Sequence, residues 1–74
     1  MSNYMLLSEY SGSDKYSNRK AEVLRCVENN NFGIRMYIEG ESLGIEWYEG
    51  HSEAYAESAA ENYVVGIKDY ERTI

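Results

Sequence analysis

At 74 residues, with 43% hydrophobic and 27% charged residues, the chain has the balance of one small globular domain and not of a disordered segment. A chain this short buries only about 60% of its unfolded surface, so its core is thin. A formal net charge of −6, a single cysteine and no proline exclude a disulfide framework and a thiol metal cluster. No apolar run approaches the ~18 residues of a membrane helix, and the expected compartment is the reducing cytoplasm.

Tyr4 to Tyr10 is short, apolar and aromatic, which reads as a first strand, and Ser11-Gly12-Ser13-Asp14 is a cluster of turn formers. The polar stretch through Arg19 is expected to be a mobile surface loop over residues 11–19. Lys20 to Glu28 fits both periods: Ala21, Leu24 and Glu28 suit a helix, while Ala21, Val23 and Val27 suit alternation. A strand is favoured, because Asn29-Asn30 suits a tight hairpin turn with positive φ.

The clearest element is the next hairpin. Phe32, Ile34, Met36 and Ile38 alternate with polar or small residues, and Leu43, Ile45 and Trp47 resume the alternation after Gly40-Glu41. A type II′ turn at Gly40-Glu41 would pair Ile38 with Leu43, Met36 with Ile45 and Ile34 with Trp47 on one face. On the other face it would pair Arg35 with Glu46, and set Tyr37 over Gly44 and Tyr48 over Gly33. Ser52 is then a suitable N-cap for a helix to about Val65, with Glu53 in its first turn and Gly66 placed to end it. Its stripe of Ala56, Ala59, Ala60, Tyr63, Val64 and Ile67 is mostly small, which lets the helix lie close on a sheet. The expected fold is α+β: a three- to four-stranded antiparallel meander with one C-terminal helix packed on one face, a core over residues 20–67 and a mobile tail over 68–74.

Charge is unevenly placed. Residues 1–35 sum to +1 and residues 36–74 to −7, with no lysine or arginine from Met36 through Ile67. Such a field disfavours direct binding to nucleic acid or an anionic membrane, since phosphate contacts need basic residues. Glu53, Glu57 and Glu61 recur every four residues along one helix edge, and with Glu46 and Glu49 leading in they could present a line of charge that mimics nucleic acid to a basic groove. The plain alternative is a solvated edge that keeps a small domain soluble. Eight tyrosines are many for this length, and Tyr37 and Tyr48 join the five glutamates as candidate protein-binding residues.

Chemistry finds little footing. His51 is the only histidine, without a partner for a triad or a zinc site, and Cys26 has no signalled base beside it. No calcium loop, P-loop or dinucleotide fingerprint is present, so no cofactor, metal or enzymatic activity is expected.

The stretch from Gly50 to Ile67, containing Ala56-Glu57-Ser58-Ala59-Ala60-Glu61-Asn62-Tyr63, follows a strand pair opening with Lys20-Ala21-Glu22-Val23-Leu24-Arg25. It resembles small proteins of marine cyanophages that close with one helix of the form A-E-x-A-A-E-N-Y. The resemblance covers roughly residues 20–67 and transfers no functional residue. It implies a strand-rich fold and a context, the host cytoplasm, in which short acidic phage proteins bind and redirect host enzymes. Two roles are therefore expected: an acidic module for a basic surface of a host protein, or a self-associating homodimer built on a strand edge and surface tyrosines.

Overall fold

The computed structural model describes residues 3–69. Four strands, β1 (Tyr4–Ser11), β2 (Arg19–Cys26), β3 (Phe32–Ile38) and β4 (Glu41–Tyr48), form one antiparallel sheet in sequence order. Among the described residues one α-helix, α1 (Glu53–Val64), lies across β2 and β3 and touches β1 more lightly. The expected α+β architecture is what the chain adopts, and residues 19–26 are strand. No helix among the described residues is long and apolar enough to cross a membrane.

The core forms where the alternating residues of β2 and β3 meet the alanine stripe. Ala21, Val23, Ile34 and Met36 from the sheet, and Ala56, Ala60, Tyr63 and Val64 from α1, are buried together. With alanine methyls at the helix contact, small residues set a close approach, and Tyr63 extends the contact by donating its hydroxyl to the Tyr37 carbonyl at 2.9 Å. Ile67, expected to complete the stripe, is 76% exposed. It lies past the helix end, where the chain has already turned away.

Both ends of α1 are capped as the residue types suggest. The Tyr55 backbone N–H donates to the Ser52 hydroxyl at 3.3 Å. At the other end Gly66 takes φ +86, its N–H donates to Tyr63 and the N–H of Ile67 donates to Asn62, the paired bonds of a Schellman motif. Arg19 reinforces this end, donating to the carbonyls of Tyr63 and Lys68 and pairing with Asp69 at 2.7 Å.

The stretch expected to be a mobile loop over 11–19 contains a one-turn 3-10 helix, Asp14–Tyr16. The Arg19 guanidinium lies over the rings of both Tyr16 and Tyr63. Of the tail expected to be mobile, Lys68 and Asp69 are described and residues 70–74 lie outside the described residues.

The β2–β3 turn matches expectation at Asn30, which takes φ +60, while Val27 lies beyond the strand and is exposed. The β3–β4 hairpin departs from the alternation-based register. Its turn residues are Glu39 and Gly40, with φ of +51 and +82, so the turn is type I′ and not a type II′ turn at Gly40-Glu41. Ile38 faces Glu41 and Tyr37 faces Ser42, then Leu43 is an extra residue and Met36 faces Gly44. Leu43 and Gly44 thus oppose one residue, a β-bulge, and Gly44 accommodates it at φ +133.

The bulge inverts the phase of the rest of β4. Leu43 stays against the core, but Ile45 and Trp47 turn to the open face while Glu46 and Tyr48 turn toward the helix. The expected pairs Ile38 with Leu43, Met36 with Ile45, Ile34 with Trp47 and Arg35 with Glu46 are therefore not formed; Ile34 faces Glu46 and Arg35 faces Ile45. Neither Tyr37 covers Gly44 nor Tyr48 covers Gly33. Trp47 takes the Gly33 position, and a Cβ there would come within 2.6 Å of the indole. A second bulge at Leu7 in β1 brings Leu7 to the core in the same way.

Gly66 and Gly40 share a left-handed φ but differ in surroundings, since a Cβ on Gly66 would overlap the Tyr16 ring and one on Gly40 meets nothing within 4 Å. Gly40→Ala is expected to cost about 1 kcal/mol from backbone strain alone, and Gly66→Ala about 1–2 kcal/mol more, because the Tyr16 ring must also move. Urea denaturation of the two variants measures the difference directly.

Candidate functional site

The open face of the sheet carries a polar network centred on Glu22, whose side chain is only 8% exposed. Glu22 stands in β2 between Glu9 of β1 and Arg35 of β3, so the register alone places Arg35 beside it. Arg35 pairs with its carboxylate at 2.8 Å, and the Tyr37 hydroxyl donates to the same oxygen at 2.9 Å. Arg35 also donates to the Tyr4 hydroxyl at 2.6 Å and lies over the Tyr4 ring. Lys20 reaches both Glu22 and Glu9 more distantly, at 3.8 and 3.6 Å.

The energetics follow from this geometry. Burial alone would raise the Glu22 carboxyl, but the hydrogen bonds from Tyr37 and Arg35 and the charges of Arg35 and Lys20 outweigh it, and the carboxyl is held below its ordinary value. Arg35 is likewise held more firmly charged, its burial offset by the Glu22 bond. The Tyr37 hydroxyl is pushed up, first by burial and then by donation to Glu22.

The seven candidate protein-binding residues fall in separate places. Glu53, Glu57 and Glu61 do share one helix edge, separated by about 6 Å of helix rise per step. Tyr10 of β1 lies near that edge, for its hydroxyl is pushed up by burial and then by the charges of Glu57, Glu61 and Glu53. The edge thus runs along the β1 side of the molecule, and none of the three carboxylates forms an ion pair among the described residues.

Glu46 does not continue the line. It faces the helix side, pairs with Lys68 at 2.8 Å and accepts from the Tyr48 hydroxyl at 2.8 Å. Tyr48 packs edge-on against Tyr55, and burial followed by the Glu46 bond pushes its hydroxyl well above the usual tyrosine range. Tyr37 is on the open face in the Glu22 network, and Glu49 is exposed in the turn after β4. His51 stacks on Tyr55 at 3.9 Å, just before the helix. No three His, Cys, Asp or Glu side chains among the described residues cluster to hold a metal ion.

Arg35, Glu22, Tyr4 and Arg19 emerge only in three dimensions. A signal for the first pair was present, since opposite charges thirteen residues apart suit a β2–β3 pairing, but it depends on the length of the intervening turn. Comparison with protein-family models, with curated proteins and with solved structures finds no match in any of the three.

Glu22→Gln is expected to remove about 2–3 kcal/mol at neutral pH, since it weakens a charge-assisted network around a buried group. Because the folded carboxyl titrates below the ordinary value of 4.5, its contribution is complete above that value and fades as pH falls through the folded one. Urea midpoints followed downward from pH 6 should therefore fall less steeply in the variant. The alkaline limb has the opposite sign. Tyr48 holds its proton above the ordinary 10.0, so stability is complete below that value and falls as pH rises above it, where the unfolded tyrosine ionises first. Tyr48→Phe should blunt that loss in the same measurement.

Proposed function

We propose that the chain is a non-enzymatic acidic protein-binding module that meets a basic surface of a partner through the outer edge of α1. The observation that carries this reading is the line of Glu53, Glu57 and Glu61, three carboxylates in register on a rigid helix with no ion pair among the described residues. Repulsion between neighbours at this spacing costs a few tenths of a kcal/mol per pair, and a partner's lysines or arginines would convert it into attraction. Electrostatic matching of this kind chiefly raises association rate and selects against acidic partners. The cyanophage resemblance supplies the setting: an accessory protein acting in the host cytoplasm on a host enzyme, with nucleic-acid binding enzymes the class whose basic grooves fit best.

Self-association is the weaker reading. Both edge strands carry a bulge, at Leu7 in β1 and at Leu43 in β4, and bulges interrupt the flat run of free backbone groups that edge-to-edge pairing requires. The hydroxyls of Tyr37 and Tyr48 are already engaged inside the molecule.

Reversing Glu53, Glu57 and Glu61 together to lysine should weaken capture of the partner from host lysate at least about tenfold, with the circular dichroism spectrum unchanged. Capture by the native chain should also fall as salt is raised. Undiminished capture by the reversed variant overturns the reading, and concentration-dependent sedimentation of the chain by itself would favour the homodimer.

A further inference from the structure

At one end of the open face, away from α1, lies a shallow cleft of about 350 Å³. Its walls include the rings of Tyr4 and Trp47, tilted 60° to each other with centroids 6.4 Å apart. Trp47, turned to this face by the β4 bulge, is 39% exposed although it is the chain's only tryptophan. Both rings are fixed before anything arrives. Trp47 is seated over Gly33, and Tyr4 is held through its hydroxyl by Arg35 at 2.6 Å. A preformed wall loses little side-chain freedom on binding, which favours affinity.

The rim supplies a sign. Glu28 and Glu49 border the cleft, both exposed and neither in an ion pair among the described residues, and no lysine or arginine lines it. An indole face beside carboxylates attracts cations, and a guanidinium is the cation best matched to it. It stacks flat on the indole and presents a fork of N–H donors to a carboxylate. We infer that this cleft receives an arginine side chain of a partner protein. The inference goes beyond the helix-edge reading and does not rest on it, because the two surfaces share no residue.

Trp47 reports on the cleft directly, since no other tryptophan contributes to emission. The full chain is titrated with acetyl-Gly-Arg-Gly-amide, with its citrulline counterpart, which keeps the shape and loses the charge, with its lysine counterpart and with arginine amide. A saturable change in Trp47 emission is expected for the arginine peptide, at least about tenfold weaker for citrulline and weaker again in a Glu28→Gln, Glu49→Gln double variant than in the native chain. The exposed positions of Glu28 and Glu49 leave the fold intact, which circular dichroism checks. Equal response to citrulline, an unchanged double variant, or no saturable response overturns the inference. A lysine peptide that binds as well as the arginine one overturns the guanidinium assignment, and arginine amide binding more tightly than the peptide overturns the assignment to a partner's side chain. The helix-edge triple reversal leaves the cleft untouched, so failure here and failure there are separately visible.

Discussion

One extra residue at Leu43 decides which side of the sheet every later side chain of β4 occupies. Without the bulge, Ile45 and Trp47 would join the core and Glu46 would stand in the open. With it, Leu43 fills the core beside Met36, the indole moves over Gly33 on the open face, and a carboxylate is turned toward the helix. Each displaced group then needs a new partner. Glu46 finds Lys68 and the Tyr48 hydroxyl, and Trp47 finds Tyr4 and the space left by Gly33.

A sheet with one helix can cover only one of its faces, and the other must be stabilised without a third layer. Here that face is closed by polar and aromatic contacts. Leu24 has no exposure although it lies on the open side, in a cross-strand row with Leu6, Gly33 and Trp47. The next row brings Glu9, Glu22, Arg35 and Ile45 together, so the charges of β2 and β3 neutralise each other where solvent is partly excluded. Such a pair adds little net stability over a hydrophobic one, yet breaking it leaves a buried charge behind. A one-residue slip of β2 against β3 would strand Glu22 in that way, so the pair favours the native register.

The helix, its caps and the β3–β4 hairpin were legible because each rests on local signals, whereas residues 20–28 fitted both helix and strand and left the count at three to four strands. Ser52, Gly66 and the alanine stripe mark α1, and alternation marks β3 and β4. Register was not legible, for a physical reason. Alternation fixes a phase only while no residue is inserted, and the pairing that ignored Leu43 produced apolar rows as consistent as those of the native one. The type I′ turn at Glu39-Gly40 and the bulge that Gly44 accommodates at φ +133 jointly moved the register, and the alternation carries no sign of either. The candidate site divided along the same line. Glu53, Glu57 and Glu61 depend on helical spacing alone and fell together; Glu46 depended on the phase of β4 and fell elsewhere.

The acidic residues thus form two different surfaces, a helix edge from the second half of the chain and a cleft to which Glu28 of the first half and Glu49 of the second both contribute. The helix edge is a solvated row of like charges, with which any partner interaction is long-ranged and screened over about 8 Å at physiological salt. The cleft sets Glu28 and Glu49 beside aromatic rings, so a guanidinium bound there adds a stacking contact that depends less on salt than charge attraction alone. A single basic partner engaging both would be steered by the first and retained by the second. Rising salt would then slow its association far more than it hastened its release.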